Sequence, residues 1–208
     1  MQKKLTPEQQ DKILSAATEE FGRRGLSDAA IQRIADNAGV SVGVIYKYYA
    51  DKSALFEAAV SDSIRYLENA LGEAAEAGSL LESARALIRA VRRVSRERPE
   101  CIRLYHEITA AAHQDMSREM AERIESATAG VYKKLIAEAR SQGTVNDDRD
   151  AAMLAFFFDN LLMMLHFSCT CDYYIERFRI YCGDDILDPK YDEMIENKML
   201  EFIDKGME

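Results

Sequence analysis

The stretch that decides the fold is SDAAIQRIADNAGVSVGVIYKYYADK, residues 27–52. Apolar residues recur at helical spacing on both sides of Gly39, so the pattern predicts two short helices joined by a tight turn. Gly39 can adopt the left-handed backbone conformation that ends a helix, and Ser41 is a good N-cap for the helix that follows. Ala35 and Ala38 are small enough to let the two helices cross closely. These features are typical of a helix-turn-helix.

The second of these helices carries more polar groups than a buried helix needs, because GVSVGVIYKYY (39–49) holds two glycines, one serine and three tyrosines. Ser41 offers a hydroxyl and free backbone N–H groups at a helix N-terminus, where a phosphate binds well. Gly43 has no side chain to keep the backbone away from DNA, and Lys52 places an ammonium at the start of the next helix. We therefore predict a double-stranded DNA interface formed by Ser41, Val42, Gly43, Val44, Tyr46, Lys47, Tyr48 and Lys52. Tyr49 is expected to anchor the helix in its small core.

Residues 10–58 resemble the DNA-binding region of the TetR family of bacterial transcriptional regulators. The positions that carry the resemblance are Ile13, Leu14, Ala16, Ala17, Phe21, Gly25, Ile34, Ala35, Ala38, Gly39, Val40, Ser41, Gly43, Ile45, Tyr46, Tyr49, Lys52 and Leu55. The rest of the chain agrees with the family only in length and helical character. The resemblance implies about nine helices, a homodimer formed by the last two, and repression that is relieved by a small ligand in the C-terminal domain.

Some positions depart from the family pattern. Ala29 and Ala30 stand where family members usually have Thr or Ser, so we expect Ser27 or Asp28 to cap the second helix. Val42 stands where a Lys is usual, which lowers the charge of the predicted DNA-facing helix. Val42 can contact thymine methyl groups, or it can simply pack against the first helix, and the sequence leaves both alternatives open.

The charge distribution is compatible with this interface. The chain has a net charge of −9, which at first argues against binding to nucleic acid. Residues 1–52, however, hold eight Lys or Arg and seven Asp or Glu, a net charge of +1, so residues 53–208 carry −10. A small DNA-facing module on a larger acidic body would have this asymmetry.

Helical patterns continue through the rest of the chain, and no strand-like alternation persists. Thr6 is predicted to begin the first helix and Asp51 to cap the fourth, while Ser79 and Glu82 have the capping-box spacing. A long helix is predicted to begin near residue 148 and to continue, with or without a bend, to about residue 183.

The predicted fold class is therefore all-α, with about nine helices. We expect a three-helix helix-turn-helix domain over residues 1–51. A larger helical bundle over residues 52–208 is expected to bind a ligand and to form the dimer.

The segment AAMLAFFFDNLLMMLHFSCTC, residues 151–171, is about as long as a bilayer span. Asp159, Asn160 and His166 would be costly in lipid, so we predict no membrane association. A rotation of about 100° per residue separates two apolar faces on a helix here. One face holds Leu154, Phe158, Leu162, Leu165 and Cys169, and the other holds Met153, Phe157, Met164 and Cys171. Two apolar faces predict a homodimer through the C-terminal helices, with a central helix of a monomeric bundle as the alternative.

A small-molecule effector is predicted to be largely apolar, because methionines and the run Phe156–Phe158 can line an adaptable pocket. The methionines concerned are Met116, Met120, Met163 and Met164, and plain core is an equally good interpretation for each of them. The ligand-binding candidates are Arg103, Tyr105, His106, Phe157, Asn160, Met164 and His166.

Four cysteines, Cys101, Cys169, Cys171 and Cys182, are too few for a disulfide scaffold and indicate a reducing cytoplasm. Residues two apart on a helix point about 200° away from each other, so Cys169 and Cys171 cannot hold one metal ion together. No catalytic constellation and no cofactor-binding fingerprint is visible, so we predict no enzymatic activity, no cofactor and no metal.

The sequence thus predicts a ligand-responsive transcriptional regulator, most simply a repressor, that binds a palindromic operator as a homodimer and responds to an apolar effector. The alternative is an all-helical small-molecule carrier or interaction protein without DNA binding.

Overall fold

The computed structural model describes residues 5–75, 78–109, 114–143, 145 and 150–207. Across these ranges the chain forms ten helices and no strand, which confirms the predicted all-α class. The helices are α1 Pro7–Asp28, α2 Ile31–Ala38, α3 Val42–Tyr48, α4 Lys52–Ala75, α5 Leu80–Glu97, α6 Pro99–Thr109, α7 Gln114–Ser141, α8 Ala151–Thr170, α9 Asp172–Cys182 and α10 Lys190–Met207.

The structure has one helix more than expected because the predicted long C-terminal helix is two helices. Cys171 between them has an extended backbone, with φ of −107° and ψ of 126°. Asp150 caps the start of α8 by accepting hydrogen bonds from the N–H groups of Ala152 and Met153. Gly183 ends α9 in the left-handed conformation, with φ of 75°. The bend that the sequence left open is therefore a full break at Cys171.

The chain divides into two compact units. The first comprises Met1–Tyr66 and Glu100–Ala112, and the second comprises Leu67–Pro99 and His113–Glu208. The first unit extends beyond the predicted domain 1–51, since Phe56 of α4 packs edge-on against Phe21 of α1 with ring centroids 5.1 Å apart.

In the first unit, α1 begins where the sequence predicts. Thr6 and Gln9 form a reciprocal capping box, and Pro7 occupies the first turn. The inner stripe of α1 is completely buried at Ile13, Ala17 and Phe21, so hydrophobic packing fixes the helix on its neighbours. Gly25 interrupts the helical backbone with φ of 70°.

In the second unit, the core lies between α5, α7, α8 and α10. Tyr132 of α7 is buried and meets Phe158 of α8 edge-on at 5.2 Å. Four arginines of α5 pair with two carboxylates of α10 and fasten the last helix to this core. The pairs are Arg85 and Arg89 with Glu196, and Arg92 and Arg96 with Asp192.

Among the described residues, α8 is the one helix long and apolar enough to cross a bilayer by length and composition. Its inner face belongs to the core of the second unit, through Phe158, Leu162 and Leu165. This packing is the arrangement of a core helix in a helical bundle.

Candidate nucleic-acid interface and effector sites

The helix-turn-helix is formed by α2, a tight turn and α3. Gly39 ends α2 with φ of 68° and ψ of 34°, a conformation that disfavours residues with a side chain. The N–H of Val40 donates to the carbonyl of Ala35 at 3.0 Å and closes the turn. Ile34 and Ala35 of α2 are completely buried, so the short helix is held by its apolar face. The turn predicted from Gly39 is confirmed.

One face of α3 is buried and the rest is open. Ile45 is completely buried and is the anchor of the helix, whereas 49% of Tyr46 is exposed. Lys47 beside it is also exposed. Of the eight predicted DNA-binding residues, Ser41, Gly43, Tyr46, Lys47 and Tyr48 are exposed, while Val42, Val44 and Lys52 are half-buried. The structure thus leaves every predicted residue at least partly accessible.

The start of α3 has the geometry of an anion-accepting helix end. The hydroxyl of Ser41 accepts a hydrogen bond from the N–H of Val44 at 3.3 Å, as the N-cap prediction required. The N–H groups of Val42 and Gly43 precede the first hydrogen bond within the helix and are oriented outward along its axis. A methyl group added at Gly43 would find only the hydroxyl of Ser41 nearby, at 3.8 Å. Nothing in the fold of this helix therefore requires a glycine at position 43.

Two of the predicted DNA-binding residues, Tyr48 and Lys52, also form hydrogen bonds with other parts of the first unit. The hydroxyl of Tyr48 accepts a hydrogen bond from the N–H of Leu5 at 2.8 Å, so it ties the N-terminal segment to α3. The ammonium of Lys52 donates to the carbonyls of Ser27 at 2.8 Å and Ala29 at 3.3 Å. Sequence reasoning missed both roles because the partners are backbone groups. Whether Tyr48 and Lys52 also contact phosphates stays a prediction.

The expected cap of α2 is wrong. Neither Ser27 nor Asp28 caps it, and the N-cap position is Ala30, which has no side-chain cap. The N–H of Ala30 instead donates to the buried carboxylate of Glu20 on α1 at 3.0 Å, and Arg33 donates to the same oxygen at 2.8 Å. A carboxylate from another helix therefore replaces the missing hydroxyl.

Glu20 stays ionised in this position. Burial alone would raise the pKa of Glu20, but the hydrogen bonds from Ala30 and Arg33, with the charges of Arg33 and Arg24, outweigh burial and lower it. In the sequence, Glu20 is a single acidic residue on the inner side of α1. Its role as a cap cannot be predicted without knowing how α1 and α2 cross.

The ligand-binding candidates are divided between the two units. Arg103, Tyr105 and His106 lie on α6 in the first unit and are all half-buried. The other four candidates, Phe157, Asn160, Met164 and His166, lie on α8 in the second unit. Met116 and Met120 have side chains outside the described part of the structure.

An apolar groove of about 410 Å³ runs between α8 and α10. Phe157, Asn160 and Met164 line it, together with Phe202 and Ile203 of α10. The amide of Asn160 is engaged, because it donates to the carbonyl of Phe156 at 2.7 Å. Three of the seven candidates therefore share one groove.

A second cavity, of about 370 Å³, lies between α7 and α8 and has a different lining. Glu125, Tyr132 and Asp159 contribute polar groups, while Phe156 and Met163 contribute apolar surface. Burial raises the pKa of Asp159 to about 6, and the negative charge of Glu125 adds to this effect. Asp159 is not among the ligand-binding residues predicted from the sequence.

His166, the last candidate, is buried. Its Nδ1 lies 3.1 Å from the hydroxyl of Ser95 on α5, and its Nε2 has no hydrogen-bond partner among the described residues. Burial lowers the pKa of His166 to about 3, so the ring is neutral at physiological pH. A ligand contact by His166 stays a prediction.

The cysteines form no metal site in the described ranges. The thiol of Cys169 accepts a hydrogen bond from Arg92 at 3.4 Å, and no group of three or more metal-ligating side chains occurs among the residues that the structure places.

A scan against family models matches residues 13–59 to the family described as "Bacterial regulatory proteins, tetR family". The regulator BetI of Cronobacter sakazakii is 36% identical over 67 residues, which is 32% of this chain and 33% of that protein. BetI of Serratia proteamaculans is 39% identical over 70 residues, 34% of this chain and 33% of its own length. The match thus spans about a third of these curated relatives, which are HTH-type transcriptional regulators.

Solved structures share the fold over nearly the whole chain. FadR from Bacillus subtilis, in complex with stearoyl-CoA, has a TM-score of 0.72 at 15% identity, covering 96% of this chain and 100% of its own. AibR, in complex with isovaleryl coenzyme A and operator DNA, has a TM-score of 0.68 at 17% identity, covering 94% of this chain and 97% of its own. At these identities the likeness shows the fold.

The N-terminal region of this all-helical chain is therefore similar to the DNA-binding region of bacterial transcription regulators. Residues 13–59 match the TetR-family model, which confirms the resemblance found in the sequence.

Proposed function

We propose that the protein is a repressor that binds a palindromic DNA operator as a homodimer and is released by a small, largely apolar effector. The observation that carries the proposal is α3, a helix anchored by buried Ile45 that leaves Tyr46 and Lys47 exposed beside the open backbone at Gly43. In the helix-turn-helix geometry, two such helices enter successive major grooves about 34 Å apart.

Within each half-site, we assign different tasks to the residues of α3. The hydroxyl of Ser41 and the amides of Val42 and Gly43 face a phosphate, where the helix N-terminus favours negative charge. Tyr46 and Lys47 contact the backbone or the base edges. Val44, which is half-buried, is the side chain best suited to a thymine methyl group.

The dimer forms through α8 and α10. Phe157 is 55% exposed and Phe202 is 66% exposed, and both border the apolar groove between these helices. Contiguous exposed apolar surface of this kind is uncommon on monomers and marks interaction sites. A two-fold axis would place the same surface of a second copy against it, so that each protomer buries the groove of the other.

The effector binds in the second unit, and the cavity between α7 and α8 is the site that we assign to it. Tyr132, Phe156 and Met163 give this cavity the apolar surface that the effector needs. An effector can release DNA only if it binds the free and the DNA-bound conformations with different affinity. Complexes of FadR with stearoyl-CoA and of AibR with isovaleryl coenzyme A and operator DNA support a ligand-responsive regulator of this fold.

DNA binding is tested by gel shift and fluorescence anisotropy with fragments from upstream of the protein's own coding region, over a series of salt concentrations. We expect a shift whose affinity falls steeply as salt rises, because contacts to phosphates release counterions. A carrier or interaction protein without DNA binding would give no salt-sensitive shift with any of these fragments. Turnover of a small molecule by the pure protein would point to an enzyme instead.

A further inference from the structure

The cavity between α7 and α8 holds a carboxylate that has no partner among the residues that the structure describes. Asp159 of α8 is half-buried and lines the cavity, and no described residue gives it a hydrogen bond or an ion pair. Other carboxylates of the second unit form ion pairs. Asp192 and Glu196, for example, pair with the arginines of α5. A half-buried carboxylate without a partner costs folding free energy, so its position has to be explained.

The other charged groups around the cavity do not supply that partner. From α7, Glu125 adds a second negative charge, and the buried ring of Tyr132 brings a phenol whose pKa burial raises well above its ordinary value. Lys133 also borders the cavity, but its side chain is exposed to solvent. Among the described residues, it forms no ion pair with Asp159 or Glu125. The cavity therefore combines two acidic groups with the apolar surfaces of Phe156 and Met163.

We propose that this cavity binds an organic cation: a primary ammonium group pairs with Asp159, and the apolar body of the ligand lies against Phe156 and Met163. An ammonium donates up to three hydrogen bonds, and a charge-assisted hydrogen bond to a carboxylate is stronger than one between neutral groups. The face of an aromatic ring also attracts a cation held close to it. The cavity volume of about 370 Å³ is in the range of small-molecule binding sites.

Binding of the cation is linked to pH. The ammonium pairs with the ionised form of Asp159, while the empty cavity favours the neutral form of this carboxyl group. Affinity therefore rises as pH increases through about 6, and the protein releases a proton on binding below that pH. Burial raises the pKa of Tyr132, so this phenol stays protonated in this range, and the pH dependence of affinity belongs to Asp159.

The test uses two probes of equal length, 4-phenylbutylamine and 4-phenylbutan-1-ol, with binding followed by NMR titration of the full-length protein at pH 7.5. We expect the amine to bind at least tenfold more tightly than the alcohol. Asp159→Asn should bring the amine to within threefold of the alcohol and leave the alcohol unchanged. Asp204→Asn, which removes one negative charge from an exposed position of α10, is the matched control and should retain the tenfold preference.

A second variant reports on the apolar part of the cavity. Phe156 is 58% exposed, so Phe156→Ala should fold normally and weaken both probes by a similar factor. The proposal is overturned if the amine binds no more tightly than the alcohol, or if Asp159→Asn keeps the preference of the wild-type protein. The claim that this cation is the effector rests on the proposed function. The titrations contain no DNA, so they test cation binding separately from DNA binding.

Discussion

Helices α3 and α8 each have an outer face exposed to solvent, but the two faces have opposite chemistry. The outer face of α3 presents hydroxyls, an ammonium and bare backbone at Tyr46, Lys47 and Gly43. The outer face of α8 presents large apolar side chains, with Phe156 and Phe157 each more than half exposed. A polar open face suits a charged, hydrated partner such as DNA, whereas contiguous exposed apolar surface marks a contact with an apolar partner. The difference agrees with the partners proposed for the two helices, DNA for α3 and a second copy of the chain for α8.

The largest effect is expected from a charge on the apolar face of α8. Phe157→Asp places a carboxylate in the proposed dimer interface, where burial of an unpaired charge costs several kcal/mol. We expect monomers in light scattering and a loss of DNA affinity of at least about a hundredfold, because one half-site alone binds weakly.

Leu81→Asp on α5 is the control for this change, since Leu81 is also exposed but lies outside α8 and α10. It should leave both the dimer and the DNA affinity unchanged. If Phe157→Asp stays dimeric and binds DNA normally, the apolar face of α8 has another role.

The next largest effect is expected at the open backbone of α3. Gly43→Ala introduces a methyl group that meets nothing closer than 3.8 Å in the protein, and alanine is a better helix former than glycine. Thermal stability should therefore be equal or higher, while DNA affinity falls by roughly tenfold, a cost of about 1.4 kcal/mol for displacing the backbone from the duplex.

Gly130→Ala on α7 is the matched substitution, because the added methyl group meets no atom of the described residues within 4 Å. It should raise stability slightly and leave DNA binding unaltered. Equal DNA affinity in both alanine variants would mean that the backbone at Gly43 does not approach DNA.

A third prediction concerns the acidic group behind the apolar face of α8. The pKa of Asp159 is about 6 in the folded protein, above its ordinary value of 3.8, so the neutral form stabilises the fold below pH 3.8 and this contribution is lost as pH rises to about 6. Asp159→Asn keeps a neutral side chain at every pH. Its stability relative to wild type should therefore improve between pH 4 and pH 7, by about 1 to 3 kcal/mol in urea unfolding.

Asp204→Asn serves as the reference variant in the same unfolding series and should show no such trend. A pH-independent difference between Asp159→Asn and wild type would contradict the burial of this carboxyl group in an unpaired state.

The smallest effect is expected from one exposed cation of α3. Lys47→Ala should weaken binding to all DNA sequences by a similar factor and reduce the slope of log affinity against log salt by about 1, since one phosphate contact is lost. Lys134→Ala, an exposed lysine of α7, is the control and should retain the wild-type slope. An unchanged slope in Lys47→Ala would remove this side chain from the phosphate contacts.

The sequence predicted the helix-turn-helix well because its signals are local. The caps at Thr6, Ser41, Asp51 and Ser79 and the left-handed turn at Gly39 each follow from one residue type at one position, and the structure contains all of them. Local chemistry of this kind needs no knowledge of the remaining fold.

The predictions failed where the deciding partner is distant in the chain. The cap of α2 depends on Glu20, ten residues before Ala30 and on another helix. The break between α8 and α9 falls at Cys171, a residue without any helix-breaking signature. Asp159 lines a cavity only because α7 packs beside α8, so its place in a site could not be predicted from α8 alone. Each of these depends on how helices cross, which a periodic pattern does not specify.

Hydrogen–deuterium exchange on the protein, with and without a bound upstream DNA fragment, shows whether α3 faces DNA. We expect exchange to slow in the segment Val42–Tyr48 on DNA binding. Unchanged exchange in Val42–Tyr48, with protection elsewhere in the chain, would contradict it.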